Sequence, residues 1–164
     1  MIILGIDPGT RITGYGVINI DGNKINCIEF GVIKNNQKCN SWECHAKIFE
    51  GLQKIIRAYA INEVAVESQF FFVNAKTALK IGEARSIALL PASLSGIPIV
   101  EYSPTHIKKA VVGTGTAKKE QVQFMMSKIL NLKNEFEYSD AADALAIAVC
   151  HAHSLRFSNI GKKL

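Results

Sequence analysis

Residues 1–18 read MIILGIDPGTRITGYGVI, with two strand-like apolar runs on either side of an Asp-Pro-Gly sequence. Asp7 stands at the end of the first run, and Pro8 and Gly9 are typical turn residues. A strand that ends in a carboxylate is a common way of placing an acidic group on a rigid scaffold. Asp7 is therefore a candidate site residue, although a carboxylate that only hydrogen-bonds the backbone of its own turn would show the same pattern.

Three further acids occupy similar positions at the ends of predicted elements. Glu67 closes a short apolar strand at residues 63–67, and Asp140 and Asp143 lie in the first turn of a late helix. Residues three apart on a helix share a face, so Asp140 and Asp143 point to one side. An acidic first turn is also a frequent decoration, because the helix dipole favours anions there.

Four carboxylates gathered at one place repel one another unless cations neutralise them. Oxygen ligands without an adjacent cluster of His or Cys favour Mg²⁺ or Mn²⁺ over zinc. Such ions activate water and stabilise the leaving oxygen in phosphodiester cleavage. If the four acids meet in the fold, the sequence predicts a metal site that holds one or two ions.

The composition is typical of an ordinary globular protein, with 48% hydrophobic and 20% charged residues in a chain of 164. The length favours one domain, which we place at residues 1–156, followed by a basic tail at 157–164. No signal peptide is expected, and the most apolar segment, residues 87–100, is interrupted by Pro and Gly and should not span a membrane. Four cysteines without a CxxC pair are typical of reduced thiols in a cytoplasmic protein.

The net charge is +5, from 19 Lys and Arg against 14 Asp and Glu. If four of the acids form a metal site, the rest of the surface is more basic than this value suggests. A basic surface around an acidic pocket suits a polyanionic substrate. A basic cytoplasmic protein without such a substrate would carry the same charge.

The order of the predicted elements indicates an α/β fold with a mixed sheet. Three antiparallel strands come first, and a helix capped by Ser41 then leads to a fourth strand as a crossover connection. The fifth strand is apolar and predicted to be buried. The predicted strands are residues 2–6, 14–20, 25–33, 63–67 and 97–102, and the predicted helices are residues 41–60, 74–94, 104–111, 119–130 and 139 onwards.

Five segments together resemble the RuvC family of Holliday-junction resolvases. They are GIDPGTRITGYGVI, the glutamate of VAVES, NAKTALKIGEAR, VVGTGTAKKEQVQ and SDAADALAIAVCHAH, in the family's order and over nearly the whole chain. The resemblance implies an α/β, RNase H-like fold with a mixed five-stranded sheet, its first three strands antiparallel, flanked by helices. It also implies a homodimer that makes paired symmetric cuts in four-way DNA junctions with Mg²⁺, for which Mn²⁺ can substitute.

The resemblance also assigns roles to individual residues. The family's catalytic, metal-binding acids fall on Asp7, Glu67, Asp140 and Asp143. Its base-stacking aromatic residue falls on Phe70, although either of the two following phenylalanines could be the residue that stacks. Its functional lysines match Lys108 and Lys119, and the neighbouring lysine could take the role of each. The full set implied to contact DNA is Phe70, Phe71, Phe72, Lys76, Lys108, Lys109, Lys118 and Lys119.

The family dimerises through the helix that follows its glutamate. The residues implied at that interface here are Ala75, Ala78, Leu79 and Gly82. A two-fold dimer presents two sites to symmetry-related strands of a junction. The branch-migration proteins RuvA and RuvB are further partners implied by the resemblance, with a role in DNA recombination and repair.

Three other functions remain open from the residues alone. An actin-like ATPase also has an acid, a glycine and a threonine in its first hairpin, as residues 7–10 do, but it needs a second domain for which 164 residues leave no room. A non-catalytic DNA-binding relative would be expected to lack at least one acid, and none is missing. A nuclease of RNA–DNA hybrids would share the metal site, and only the resemblance favours branched DNA.

Overall fold

The computed structural model describes residues 1–36, 39–68, 74–132 and 136–161, with the backbone alone for residues 157–161. The strands are β1 (Ile2–Asp7), β2 (Ile12–Asp21), β3 (Lys24–Lys34), β4 (Glu63–Glu67) and β5 (Ile99–Tyr102). The helices are α1 (Ser41–Ala58), α2 (Ala75–Leu94), α3 (Pro104–Val112), α4 (Lys119–Ile129) and α5 (Ser139–Gly161).

The five strands form one mixed sheet in the order β3-β2-β1-β4-β5. The first three pair antiparallel, while β4 runs parallel to β1 and β5 runs parallel to β4. The predicted five-stranded mixed sheet is confirmed. Four strands therefore end at the same edge, which we call the carboxyl edge; its terminal residues are Asp7, Lys34, Glu67 and Tyr102.

Helices cover both faces of the sheet, so its central strands are apolar on both sides. On one face, α1 and α2 pack on β1, β2 and β4 around a core that includes Leu4, Leu52 and Val64. On the other face, α3, α4 and α5 enclose a second core that includes Ile3, Met126 and Leu145. Burying these side chains in two layers is the main favourable contribution to folding.

Glycines in the sheet let α5 lie directly on the backbone of β1 and β2. A Cβ atom at Gly5 would stand 2.1 Å from the carbonyl oxygen of Ala144, and one at Gly14 would stand 2.0 Å from that of Asp140. No side chain fits into such spaces without moving the helix. The position of α5 relative to β1, and hence of its acids relative to Asp7, is fixed by these contacts.

The start of α1 differs from the prediction by one residue. Asn40, not Ser41, is the N-cap, because its side chain accepts a hydrogen bond from the Glu43 amide while the Glu43 carboxylate accepts one from the Asn40 amide. This reciprocal capping box satisfies two amides that would otherwise lack partners. Asn74 is the N-cap of α2, and its side chain accepts a hydrogen bond from the Thr77 amide.

The expectation of four reduced thiols is wrong for two of them, since Cys39 and Cys44 are joined by a disulfide. Cys44 lies in the first turn of α1 and Cys39 just before its cap, which brings their Cα atoms to 6.1 Å, within the range of a disulfide. Cys27 and Cys150 are free.

Two further features concern the last elements of the chain. The strand predicted to be buried, β5, is half-buried with Glu101 exposed, because it lies at the edge of the sheet. Helix α5 continues to Gly161, past residue 156, and the predicted division between domain and tail stays a prediction. In the part of the chain that the structure describes, no helix is both long and apolar enough to cross a membrane.

Candidate active site

Three of the four predicted acids meet at the carboxyl edge. Asp7 and Glu67 end adjacent parallel strands, and Asp143 approaches them from the first turns of α5. These carboxylates line a cavity of about 250 Å³ together with Lys108 and Lys119. The fourth acid, Asp140, does not line this cavity, but it lies near enough for its charge to act on Asp7.

Burial and mutual repulsion raise the pKa values of Asp7, Glu67 and Asp143. The pKa of Asp7 rises from 3.8 to about 7, first because of burial and then because of the charges of Asp143, Glu67 and Asp140. Burial and the charge of Asp143 raise the pKa of Glu67. Burial also raises the pKa of Asp143, although its hydrogen bond with Lys119 opposes the rise. A bound cation would stabilise the charged form of such a cluster.

Lys119 supplies a cation from within the protein, because its Nζ lies 2.7 Å from Oδ2 of Asp143. Burial lowers the pKa of Lys119, but the hydrogen bond to Asp143 and the charges of Asp143, Asp140 and Asp7 outweigh this effect and raise it. The Lys119 side chain is 50% exposed, so its ammonium group reaches both the acids and the solvent.

The other residues predicted to contact DNA differ in how close they come to the acids. Lys108 lines the cavity, and its charge lowers the pKa of Glu67 against the net rise. The remaining lysines are exposed and do not line the cavity; they are Lys76, Lys109 and Lys118. The aromatic candidates Phe70, Phe71 and Phe72 lie outside the described residues.

The four predicted interface residues lie together along an open groove between α1 and α2. This α1–α2 groove encloses about 750 Å³ and is lined on the α2 side by the whole predicted set, Ala75, Ala78, Leu79 and Gly82. Trp42 and His45 of α1 line the other side. Trp42 is 79% and Leu79 67% exposed, a degree of apolar exposure typical of an interaction surface.

The donor set of the cavity fits a hard divalent cation, since carboxylate oxygens are the ligands that Mg²⁺ and Mn²⁺ prefer. Among the described residues, no three His, Cys, Asp or Glu side chains are arranged to hold an ion. The predicted cage of four acids is therefore not preformed in this part of the chain. Burial and the charges of Asp143, Glu67 and Asp140 raise the pKa of Asp7, and an added cation would relieve the repulsion among these acids.

Arg85 is a site residue that the sequence reasoning missed. Its Nη1 donates to the backbone oxygen of Glu67 at 2.5 Å, and its Nη2 lies 2.7 Å from Oε1 of Glu101. The guanidinium group thereby holds the ends of β4 and β5 together beside the Glu67 carboxylate. Arg85 is the last residue of the segment NAKTALKIGEAR, but a hydrogen bond to a backbone oxygen leaves no pattern in the sequence from which its role could be predicted.

A second polar cluster lies under α5. His151 is 2% exposed; its Nε2 lies 2.6 Å from Oε2 of Glu63, and its Nδ1 lies 2.7 Å from the hydroxyl oxygen of Tyr102. These bonds join α5 to β4 and β5. His151 is thus a packing residue, and it does not line the acidic cavity.

Comparison with known proteins places the chain in a family. The family profile described as "Crossover junction endodeoxyribonuclease RuvC" matches residues 3–151. The chain belongs to the RuvC family.

RuvC relatives align with the chain over almost all of its length. A "Crossover junction endodeoxyribonuclease RuvC" of Geobacter sp. (strain M21) is 48% identical over 162 residues, which is 99% of this chain and 98% of the relative. The protein of the same name from Alkaliphilus metalliredigens (strain QYMF) is 44% identical over 162 residues, which is 99% of both chains.

A solved RuvC structure shares the fold. It is described as "T. thermophilus RuvC in complex with Holliday junction substrate", and it superimposes with a TM-score of 0.90 at 35% identity over 96% of both chains. This agreement confirms the resemblance to RuvC that the sequence motifs indicated.

Proposed function

We propose that this protein is a Holliday-junction resolvase, a metal-dependent endodeoxyribonuclease that makes paired symmetric cuts in four-way DNA junctions during recombination and repair. The observation that carries the proposal is the cavity in which Asp7, Glu67 and Asp143 meet Lys108 and Lys119. Membership of the RuvC family and the likeness to a RuvC bound to a Holliday junction support the substrate.

Asp7, Glu67, Asp140 and Asp143 are the proposed catalytic acids and would hold one or two Mg²⁺ ions, with Mn²⁺ as a substitute. The chemistry that the bound ions supply is activation of water and stabilisation of the leaving oxygen. The raised pKa of Asp7 keeps this carboxyl partly protonated near neutral pH, so the loading of a divalent cation releases protons.

The two cavity lysines have a separate task, which is to hold the scissile strand. The ammonium group of Lys119 is paired with Asp143 and also exposed to solvent, so its remaining N–H groups can donate to a phosphate oxygen. Lys108 stands on the Glu67 side of the same cavity. Phosphate contacts of this kind fix the register of the strand but carry no base preference.

The α1–α2 groove is the proposed dimer interface. Leu79 of one subunit would bury its exposed side chain against the partner, as would Trp42. A two-fold dimer would present two acidic cavities to opposing strands of a junction, which is what paired symmetric cleavage requires.

We further propose that residues 1–156 form the nuclease domain and that Phe70, Phe71 or Phe72 stacks on junction bases. We also propose that the protein acts in the cytoplasm with RuvA and RuvB.

The test is cleavage of a synthetic four-way junction with Mg²⁺, compared with linear duplex and an RNA–DNA hybrid. Asp7→Asn is the variant without catalysis, and Asp21→Asn, at the exposed far end of β2, is its matched control. We expect paired nicks that Asp7→Asn abolishes while it retains junction binding, and that Asp21→Asn leaves unchanged. Junction binding without cleavage by the wild type would indicate a non-catalytic relative, and preference for the hybrid would overturn the substrate.

A further inference from the structure

Lys34, the last residue of β3, lies at the carboxyl edge on the same face of the sheet as the acids. Lys34 pairs with Ile12 of β2, and Gly14 of β2 pairs with Asp7, so the three strands set the position of Lys34 relative to Asp7. Side chains of paired and alternate residues share a face, and a Cβ at Gly14 would meet Asp140 of α5. Lys34 therefore points to the α5 face, as Asp7 does.

The distance from Lys34 to the acids suits a neighbouring phosphate on one strand. Two strand spacings and two residues along the strand put its Cα about 12 Å from that of Asp7. A stacked nucleic-acid strand rises about 3.4 Å per nucleotide, so this distance corresponds to the rise of about three to four nucleotides. Lys34 also lies two residues further out along the sheet than Asp7, towards the solvent from which DNA would approach.

Tyr138 holds the ammonium group of Lys34 at this position. Lys34 Nζ donates to the Tyr138 hydroxyl and lies 3.7 Å from the centre of its ring. Tyr138 stands two residues before Asp140, and the Ala141 amide bonds its carbonyl oxygen at 3.3 Å, so Tyr138 is anchored to the first turn of α5. A cation fixed in advance loses less side-chain entropy when it binds an anion.

A second link fixes the end of β3 to the loop that follows Asp7. The Asn35 backbone amide donates to the Arg11 oxygen at 2.8 Å, and its side-chain amide donates to the Thr10 oxygen at 2.9 Å. Lys34 is thus held between the loop after β1 and the start of α5. These are the two segments that also position Asp7 and the α5 acids.

The charge of Lys34 is available to a ligand. Among the described residues, no carboxylate lies within ion-pair distance of its ammonium group, whereas Lys119 is paired with Asp143. The tyrosine hydroxyl and ring face hold the ammonium without supplying a carboxylate. Lys119 and Lys108 lie on the Glu67 side of Asp7, and Lys34 lies on the β3 side, so cations flank the acidic cluster on two sides.

We infer that Lys34, held by Tyr138, binds a backbone phosphate of the cleaved DNA strand on the β3 side of the scissile position. The cavity lysines supply positive charge beside Glu67, and Lys34 supplies it on the β3 side of Asp7. The contact reads no bases, so it contributes affinity and strand position without base preference. The inference rests on the proposed junction-cleaving function.

The test measures how junction binding depends on salt, by fluorescence anisotropy in the Asp7→Asn protein, which keeps the DNA intact. We expect Lys34→Met to reduce the slope of log Kd against log salt by about 0.9 per subunit, hence by about 1.8 for a dimer. Lys24→Met is the matched control, because Lys24 is the exposed first residue of the same strand, at the opposite edge of the sheet. It should leave the slope unchanged.

Two further variants separate a phosphate contact from a structural role. Lys34→Arg keeps the charge and should keep the slope, and Tyr138→Phe keeps the ring and should weaken binding less than Lys34→Met. If Lys34→Met has the slope of Lys24→Met while the parent protein binds the junction, the inference is wrong and the proposed function stands. If the parent protein does not bind the junction at all, the proposed function fails first.

Discussion

Replacing Asp7 with asparagine should stabilise the metal-free protein at neutral and alkaline pH. The pKa of Asp7 is about 7 in the fold and 3.8 in the unfolded reference. An acid whose pKa is raised by folding releases its proton more readily when the protein is unfolded, so stability falls as pH rises between these two values. The asparagine side chain keeps the shape of the aspartate and has no proton to lose.

The size of the effect follows from the difference of about three pKa units. Each unit corresponds to about 1.4 kcal/mol, so the free energy of unfolding of the wild type should fall by up to about 4 kcal/mol between about pH 4 and pH 7. The Asp7→Asn protein should lack this fall, and the two proteins should converge near pH 4. Above pH 7 the stability difference should stay constant.

The assay is urea unfolding followed by circular dichroism, in buffers with EDTA from pH 4 to pH 8. Asp21→Asn is the matched control, since Asp21 is an exposed aspartate at the end of β2, and it should shift stability by no more than about 0.5 kcal/mol. An Asp7→Asn protein that is no more stable than the wild type at pH 8 would contradict the raised pKa of Asp7. A stability advantage that does not shrink towards pH 4 would contradict it as well.

Three further predictions concern the fold, the interface and the cavity. Gly14→Ala should cost about 1–3 kcal/mol of stability and reduce junction cleavage more than tenfold. The new Cβ would stand 2.0 Å from the backbone carbonyl oxygen of Asp140 and displace that residue. Leu79→Glu should convert the proposed dimer to a monomer in analytical ultracentrifugation, because a charge replaces an apolar side chain in the α1–α2 groove. Lys119→Gln should reduce cleavage at least tenfold and flatten the salt dependence of junction binding, because it removes the cation paired with Asp143.

Each of these variants has a control elsewhere in the chain. Gly22→Ala is strained at a φ of +54° but meets nothing within 4 Å, so it should lose stability and keep full cleavage. Leu94→Glu changes a leucine of α2 that is 71% exposed outside the groove lining, and it should stay dimeric. Lys128→Gln removes an exposed charge of the same helix as Lys119 and should cleave normally. Equal behaviour of a variant and its control would contradict the corresponding prediction.

The sequence predicted the sheet and the helices well because their signals are local. Alternating apolar runs, turn residues and caps lie within a few positions of each other, and the strand at Glu63–Glu67 was predicted with its observed bounds. The cap of α1 was misplaced although its signal was present. Ser41 and Asn40 are both good caps, and Glu43, three residues after Asn40, decides between them.

The sequence predicted those site residues that are charged and stand at the ends of strands or helices. Asp7, Glu67 and Asp143 could be named in this way, whereas the exclusion of Asp140 from the cavity lining depends on how α5 sits on β2. Contacts between distant residues had no local pattern. Lys34 and Tyr138 are 104 residues apart, and only the fold brings them together.

The backbone contact between α5 and the glycines of the sheet has a consequence for redesign of this nuclease. Asp7 and the α5 acids lie on the elements that meet at this contact, and a side chain at Gly5 or Gly14 would move those elements apart. The cavity lysines are attached to α3 and α4, which meet solvent on their outer faces. Exposed residues of α3 and α4 other than Lys108 and Lys119 can therefore be changed without moving the acids.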